Sequence, residues 1–391
     1  MSLEVVSLGC RMNLAESEKM RGLLATEDNL VVINSCAVTA EAMRQTRQAI
    51  RRARRARPDA RLMVTGCAAE IERSAIAAMP EVDGLIANAE KLDARAWNVP
   101  VPQSPIGPTG HTRAFVAVQN GCDHACTFCV IPQGRGASRS RPPAEVVAEI
   151  TALVADDVAE VVLTGVDLTA WGLDLEGTPR LGALVAAILR DVPSLKRLRL
   201  SSLDGVEIDD ELFELLAGEA RVMPHLHLSL QHGADLILKR MKRRHSRADA
   251  VGLVQRLRAR RPEIAVGADL IAGFPTENDA HHAENLSIIT ELAIVHGHIF
   301  PYSARAETPA AKMPQIPRDV IAGRAAQLRD TVAAARNVWL DSLIGSPLVV
   351  LAERDGTGHA ANFARARLPE GTAAGSLLTL TPIRVEQGLL A

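Results

Sequence analysis

Apolar positions in the first hundred residues gather into three short runs, "EVVSLGC" (4–10), "LVVINSC" (30–36) and "RLMVTGC" (61–67). Between them lie stretches with helical spacing, such as "ESEKMRGLLATE" and "AEAMRQTRQAIRRARRAR". Runs of Val, Leu and Ile that stop at a small residue read as strands buried on both faces, as in a parallel sheet. The alternation therefore predicts an open α/β sheet domain over residues 1–97. Residues 98–113, rich in Pro and Gly and without periodicity, are expected to be a linker. From 114 the alternation resumes with "AFVAV", "EVVLTG", "RLRLSS", "HLHLSL", "AVGADLIAG" and "IVHGHIFPY". Six such βα units over 114–317 predict a partial (β/α)6 barrel of the TIM type, with a doubly wound sheet as the second choice. One long helical stretch covers 318–345, and Gly- and Pro-separated apolar runs over 346–391 predict a small all-β module.

Parallel α/β folds bind ligands at the C-terminal ends of their strands. Each of the first three runs carries a cysteine to that end, Cys10, Cys36 and Cys67, so the three are expected to converge. The first barrel strand is followed by "NGCDHACTFCVIPQGRG", which holds Cys122, Cys126 and Cys129. Gly165 and Asp167 follow the second strand, Ser201 and Ser202 the third, Gln231 and His232 the fourth.

Composition narrows the class. The chain has 391 residues, 47% of them hydrophobic, and a net charge of −2, so any polyanion surface must be local. No basic segment precedes an apolar core at the start, and no apolar run reaches about 18 residues, so a soluble, cytoplasmic protein without membrane contact is expected. In a reducing compartment cysteines serve metals or catalysis more often than disulfides.

Three thiolates at C-x3-C-x2-C can hold a cubane [4Fe–4S] cluster by three irons and leave the fourth open to a small molecule. Zinc with His124 as fourth ligand is the competing reading, although the spacing does not match paired zinc knuckles. A second triplet, again lacking a fourth thiol, favours clusters at both places.

These motifs, with Phe128 just before the last cysteine, resemble the radical S-adenosylmethionine superfamily. "SLGCRMNLAESE", "NSCAVTAEA", "VTGCAAE", "GCDHACTFCVIPQGRGASRSR", "RLRLSSLD", "LSLQHGAD", "DLIAGFPTE" and "FPYSARAETPAAKMP" occur in the order found in its methylthiotransferase branch. The resemblance implies an N-terminal domain with an auxiliary cluster on Cys10, Cys36 and Cys67, a radical barrel, and a short C-terminal TRAM-like module. It implies two [4Fe–4S] clusters and S-adenosylmethionine, bound at the Cys122/Cys126/Cys129 cluster and cleaved by one-electron reduction to a 5′-deoxyadenosyl radical. The block "NSCAVTAEA…VTGCAAE" is most similar to enzymes that methylthiolate carbon 2 of N6-threonylcarbamoyladenosine at position 37 of tRNA. Isopentenyladenosine in tRNA and a ribosomal-protein aspartate are the alternatives within the branch, and a metal-stabilised, non-catalytic RNA-binding protein is the alternative outside it. The implied partners are a tRNA anticodon stem-loop, a one-electron reductant such as flavodoxin or ferredoxin, and a sulfur donor; a monomer is expected. Phe128, Gly165, Ser201, Ser202 and Gln231 are candidate cofactor contacts, against the bland reading that Gly165 ends a strand and the serines satisfy backbone groups.

Three basic runs stand out: eight arginines between Arg44 and Arg61, "KRMKRRHSR" at 239–247, and "GRGASRSR" at 134–141 beside the cysteine triplet. Arginines near an open site can neutralise phosphates, although charge runs are usually solvated helix faces. The candidate RNA contacts are Arg135, Arg139, Arg141, Arg243, Arg244 and Arg365, with Phe363 as a stacking residue that is equally suited to a core.

Overall fold

The computed structural model describes residues 3–100 and 112–391, so all but the ends of the expected 98–113 linker lies outside the described residues. The N-terminal sheet contains β1 (Glu4–Ser7), β2 (Leu30–Ser35), β3 (Arg61–Gly66) and the short β4 (Gly84–Leu85), in that order and all parallel. β2 is buried along its whole length, as a central parallel strand must be. Its odd and even positions serve opposite faces. Val31 and Ile33 meet Met43, Ile50 and Ala53 of the helix Ala40–Ala56, whereas Leu30 and Val32 meet Met20 and Leu23 of the helix Arg11–Leu23. The spacing of Met43, Thr46, Ile50 and Ala53 puts one stripe of the arginine-rich helix inward and turns its charges outward.

β5 (Arg113–Ala117) begins the next set of parallel strands. A two-stranded antiparallel ribbon, β6 (Gln119–Asn120) and β7 (Arg139–Ser140), brackets the loop with the three clustered cysteines. The parallel strands β8 (Glu160–Thr164), β9 (Arg197–Leu200), β10 (His225–Gln231), β11 (Ala265–Ala272) and β12 (Ile294–Pro301) follow. They form two three-stranded sheets, β5-β8-β9 and β10-β11-β12, joined by parallel bridges Leu198–Val222 and Leu203–Leu228. This is the six-stranded partial barrel. Ala114, Val116, Val161, Leu163, Leu198, Leu226, Leu228 and Val266 face outward into the helical layer and form the main core. The alternate positions face the lumen and are largely polar, among them Arg113, Glu160, Arg199, His225, His227, Asp269 and His298.

After the helix Arg318–Asp341 come β13 (Leu348–Ala352), β14 (Thr357–Ala360), β15 (Arg365–Arg367), β16 (Leu377–Leu380), β17 (Val385–Glu386) and β18 (Leu389–Leu390). They make one small sheet in the order β16-β13-β14-β15-β18-β17, which fits a TRAM-like module. It is fastened to the barrel by Phe363, whose ring stacks on His359 at 4.5 Å and lies 4.9 Å from His225 and under the Arg199 guanidinium at 4.8 Å. Among the described residues no helix is long and apolar enough to cross a membrane.

Candidate active site

The loop carrying Cys122, Cys126 and Cys129 is pinned from three directions. Cys122 N–H donates to Gly136 O at 3.1 Å, Thr127 N–H to Met241 O at 3.1 Å, and Ala310 N–H to Thr127 O at 2.9 Å. Phe128 sets its ring edge-on to Phe274 at 6.4 Å. Backbone N–H groups point at two of the sulfurs, His124 at Cys122 Sγ and Ile131 at Cys129 Sγ, both at 3.4 Å. The Arg243 guanidinium lies 3.8 Å from Cys126 Sγ. Burial, with the neighbouring thiols and Asp167 adding to it, pushes Cys122 up to about 12, and burial pushes Cys129 up to about 11. Thiols held this way ionise only when a cation binds them, and amide and guanidinium donors suit the anionic sulfurs that result. The residues present thus fit an iron–sulfur cluster.

Cys10, Cys36 and Cys67 converge at the edge of the first sheet, near enough for the sulfurs of Cys10 and Cys67 to raise the Cys36 thiol, which burial above all pushes to about 11. Cys10 caps the helix Arg11–Leu23, Cys36 follows β2 and Cys67 starts the helix Cys67–Ile71. Gly9 has a φ of +88°, and a Cβ there would stand 2.5 Å from Cys36 Sγ; only glycine lets the two chain ends come together. Beneath them lies a buried charge cluster. Lys91 Nζ is 2.5 Å from Glu16 Oε2, and Arg135 Nη1 is 2.9 Å from Glu16 Oε1, with all three side chains at most 4% exposed. Two cations share one carboxylate. Burial works against both, whereas Glu16 and nearby Cys67 favour their charged forms. Such an excess of buried positive charge needs an anionic neighbour, and thiolates of this triplet would supply it.

The two triplets sit back to back. Gly134, five residues beyond Cys129, packs on Cys67, where a Cβ would come within 3.1 Å of the Cys67 Cβ. Asn88 Nδ2 donates to Gly134 O at 2.6 Å and reaches to 3.9 Å from Cys67 Sγ. The barrel lumen holds a polar cluster of its own. Asp269 Oδ1 takes His227 Nε2 and His298 Nδ1, each at 3.0 Å, and Ser202 Oγ is 3.4 Å from its Oδ2. Burial alone would raise the Asp269 carboxyl, but the two histidines hold it well below the usual range.

The pattern of the radical SAM superfamily matches residues 116–287, and that of the uncharacterized protein family UPF0004 matches 2–87. The chain is 43% identical to the threonylcarbamoyladenosine tRNA methylthiotransferase MtaB of Rickettsia prowazekii, covering 99% of this chain and 96% of that protein. The chain belongs to the radical SAM tRNA methylthiotransferases. A tRNA-2-methylthio-N(6)-dimethylallyladenosine synthase of Cereibacter sphaeroides is 34% identical, covering 90% of this chain and 88% of that one. The radical S-adenosylmethionine methyltransferase TsrM of Kitasatospora setae shares the fold, with a TM-score of 0.53 at 18% identity over 77% of this chain and 69% of that one.

In this methylthiotransferase several sequence-predicted contacts take other places. Arg135 is not a surface arginine; it is buried against Glu16, Asn13 and Asn120, because the helix Ile131–Arg135 turns inward onto Cys67. Arg243 likewise points inward, 2.8 Å from Asp204 Oδ2 and from Ser229 O. Phe363 serves packing against the barrel histidines, not a free stacking surface. Arg141 is half-buried and donates to Glu149 and Ala117 O. Arg139, Arg244 and Arg365 are exposed; Arg244 pairs with Glu207 and Arg365 with Asp355. Most of the arginine run in the helix Ala40–Ala56 is also paired, Arg44 with Glu41, Arg47 with Glu72, Arg51 with Glu81 and Arg54 with Asp83. His124 is held 2.7 Å from Asp167 Oδ2, a bond that raises its pKa.

Among the candidate cofactor contacts, Gly165 leads a turn closed by Gln119, whose Oε1 accepts Val166 N–H at 3.0 Å and Asp167 N–H at 2.8 Å. The Ser201 hydroxyl is buried with no partner among the described residues, and Gln231 ends β10 with a φ of +68°. Sequence reasoning passed over Gln119, Asp269, His227 and His298. The signal was there: polar residues at alternate positions of the strands "HLHLSLQ", "AVGADLIA" and "IVHGHIFP" mark an inward polar face.

Proposed function

We propose that this enzyme methylthiolates carbon 2 of N6-threonylcarbamoyladenosine beside the tRNA anticodon, with one [4Fe–4S] cluster on Cys122, Cys126 and Cys129 and a second on Cys10, Cys36 and Cys67. The observation that carries the reading is the second triplet, placed back to back with the first over a buried excess of positive charge. Bound there, the clusters supply reductive cleavage of S-adenosylmethionine and a site for the transferred sulfur. The chain's own residues orient and shield: Phe128 and Phe274 wall the first triplet, Ser201, Ser202 and Gln231 offer polar groups at the strand ends, and Asp269 with its histidines lines the lumen. Full-length similarity to the Rickettsia prowazekii protein supports the threonylcarbamoyl substrate over the dimethylallyl one. Exposed Arg139, Arg244 and Arg365 remain the candidate tRNA contacts, with a flavodoxin- or ferredoxin-like protein as electron donor.

The test is anaerobic reconstitution followed by incubation with S-adenosylmethionine, reductant, sulfide and tRNA bearing threonylcarbamoyladenosine. Nucleoside mass spectrometry should find the base heavier by a methylthio group in place of hydrogen. Production of 5′-deoxyadenosine without that nucleoside, from protein holding both clusters, would refute the substrate assignment.

A further inference from the structure

Four arginines surround the inner end of the lumen, and three have acceptors. Arg113 Nε is 3.0 Å from Glu353 Oε1, Arg199 forks onto Glu160 at 2.7 and 3.2 Å, and Arg197 donates to Val349 O at 2.6 Å. Arg11 has none: among the described residues no carboxylate or carbonyl accepts from it. Its guanidinium instead lies over two ring faces, 5.9 Å from the Phe115 centroid and 5.6 Å from that of Phe363. Nearby, Arg113 Nη1 is buried and has no partner among the described residues. Glu160 and Asp269 attract Arg11 from a distance but neither hydrogen-bonds it: Glu160 is taken by Arg199, and Asp269 turns its Oδ1 to two histidines and its Oδ2 to Ser202. A guanidinium half-buried among other cations, with its donors unused, is poised for an anion from outside the protein.

Position says which anion. Arg11 follows Cys10 and opens the helix that carries it to β5, so its side chain spans from the edge of the Cys10/Cys36/Cys67 site into the lumen. In adenine, carbon 2 and the N6 substituent flank N1 on one edge of the ring. A base presenting carbon 2 to the Cys10/Cys36/Cys67 site therefore brings its N6 substituent alongside the same wall. We infer that Arg11 binds the carboxylate of the threonyl group on N6, and so selects this substrate over adenosines whose N6 group is uncharged. The inference rests on the function proposed above.

Two synthetic anticodon stem-loops decide it, one with threonylcarbamoyladenosine and one with its threoninamide analogue, in which an uncharged amide of nearly the same shape replaces the carboxylate. Competed in one reaction, they give a ratio of kcat/KM that does not depend on how much enzyme holds its clusters. Arg11→Gln should lower the acid-to-amide ratio on the order of 100-fold, as loss of one partner of a desolvated charge pair does. Arg11→Lys, which keeps the cation, should hold the ratio within about tenfold of the native value. A Gln variant with the native ratio would overturn the assignment, as would a Lys variant that falls as far as Gln. Native enzyme that modifies neither stem-loop would instead overturn the proposed substrate, an outcome separate from an unchanged ratio.

Discussion

Glu277 is the residue through which the cysteine loop and the long C-terminal helix depend on one charge. Its side chain is fully buried, and its Oε2 accepts Gly273 N–H at 2.8 Å, Phe274 N–H at 3.0 Å and His232 Nε2 at 3.3 Å. Ala234 N–H donates to His232 Nδ1 at 2.9 Å, which fixes the proton on Nε2 and makes that ring a donor to the carboxylate. The Arg324 guanidinium stands 3.2 Å from Oε1. Burial alone would raise the carboxyl; the bond from His232, with His282 and Arg324 close by, holds it down at about 2. Against the ordinary glutamate value of 4.5 the ionised form contributes about 3 kcal/mol to folding, taking about 1.4 kcal/mol for each unit the pKa is lowered. Because the folded value is depressed, that stability is present above the unfolded value. It fades as pH falls from about 4.5 towards about 2. Glu277→Gln keeps the shape and removes the charge, so the variant should be less stable by about 3 kcal/mol at neutral pH, the same at pH 6 and pH 8. Urea titration of the reconstituted protein, followed by far-ultraviolet circular dichroism, measures the difference. A gap under about 1 kcal/mol, or one that changes between pH 6 and 8, would refute the assignment of charge to Glu277.

Three further outcomes follow from the same geometry. Cys122→Ala and Cys36→Ala should each lose about half the bound iron, while only Cys122→Ala abolishes 5′-deoxyadenosine formation; iron assay and chromatography of the nucleoside products check both. Gly9→Ala forces a Cβ into Cys36 at a φ of +88°, so it should cost about 1–2 kcal/mol in denaturation and lower the iron content through the Cys10/Cys36/Cys67 site. Phe363→Ala removes the ring between His359, His225 and Arg199; a loss of about 3 kcal/mol in unfolding is expected, and an undiminished stability with weaker tRNA binding would return Phe363 to the role of a stacking surface.

The strands of the parallel sheets were legible in the sequence because buried strands carry Val, Leu and Ile runs, as in "LVVINS" and "EVVLT". The two-residue β4 was not, since two residues carry no period. The six cysteines were legible for a chemical reason: thiols repeated at strand ends have few uses other than holding metal. Charge was the opposite case. Arg135, Arg139 and Arg141 fall within one short run, yet the first is buried on Glu16, the second is exposed and the third bridges to Glu149. Composition sets how many arginines a segment has; only the packing of distant elements decides which of them meets a carboxylate. Arg11 belongs to the same class, for what surrounds it comes from positions 113, 115, 199 and 363. Local sequence thus determined the periodic elements and the thiols, because both are written in neighbouring residues. Tertiary structure decided which of the charges are buried and where Arg135 and Arg11 point, because what surrounds these two comes from distant parts of the chain, Glu16 lying 119 residues from Arg135.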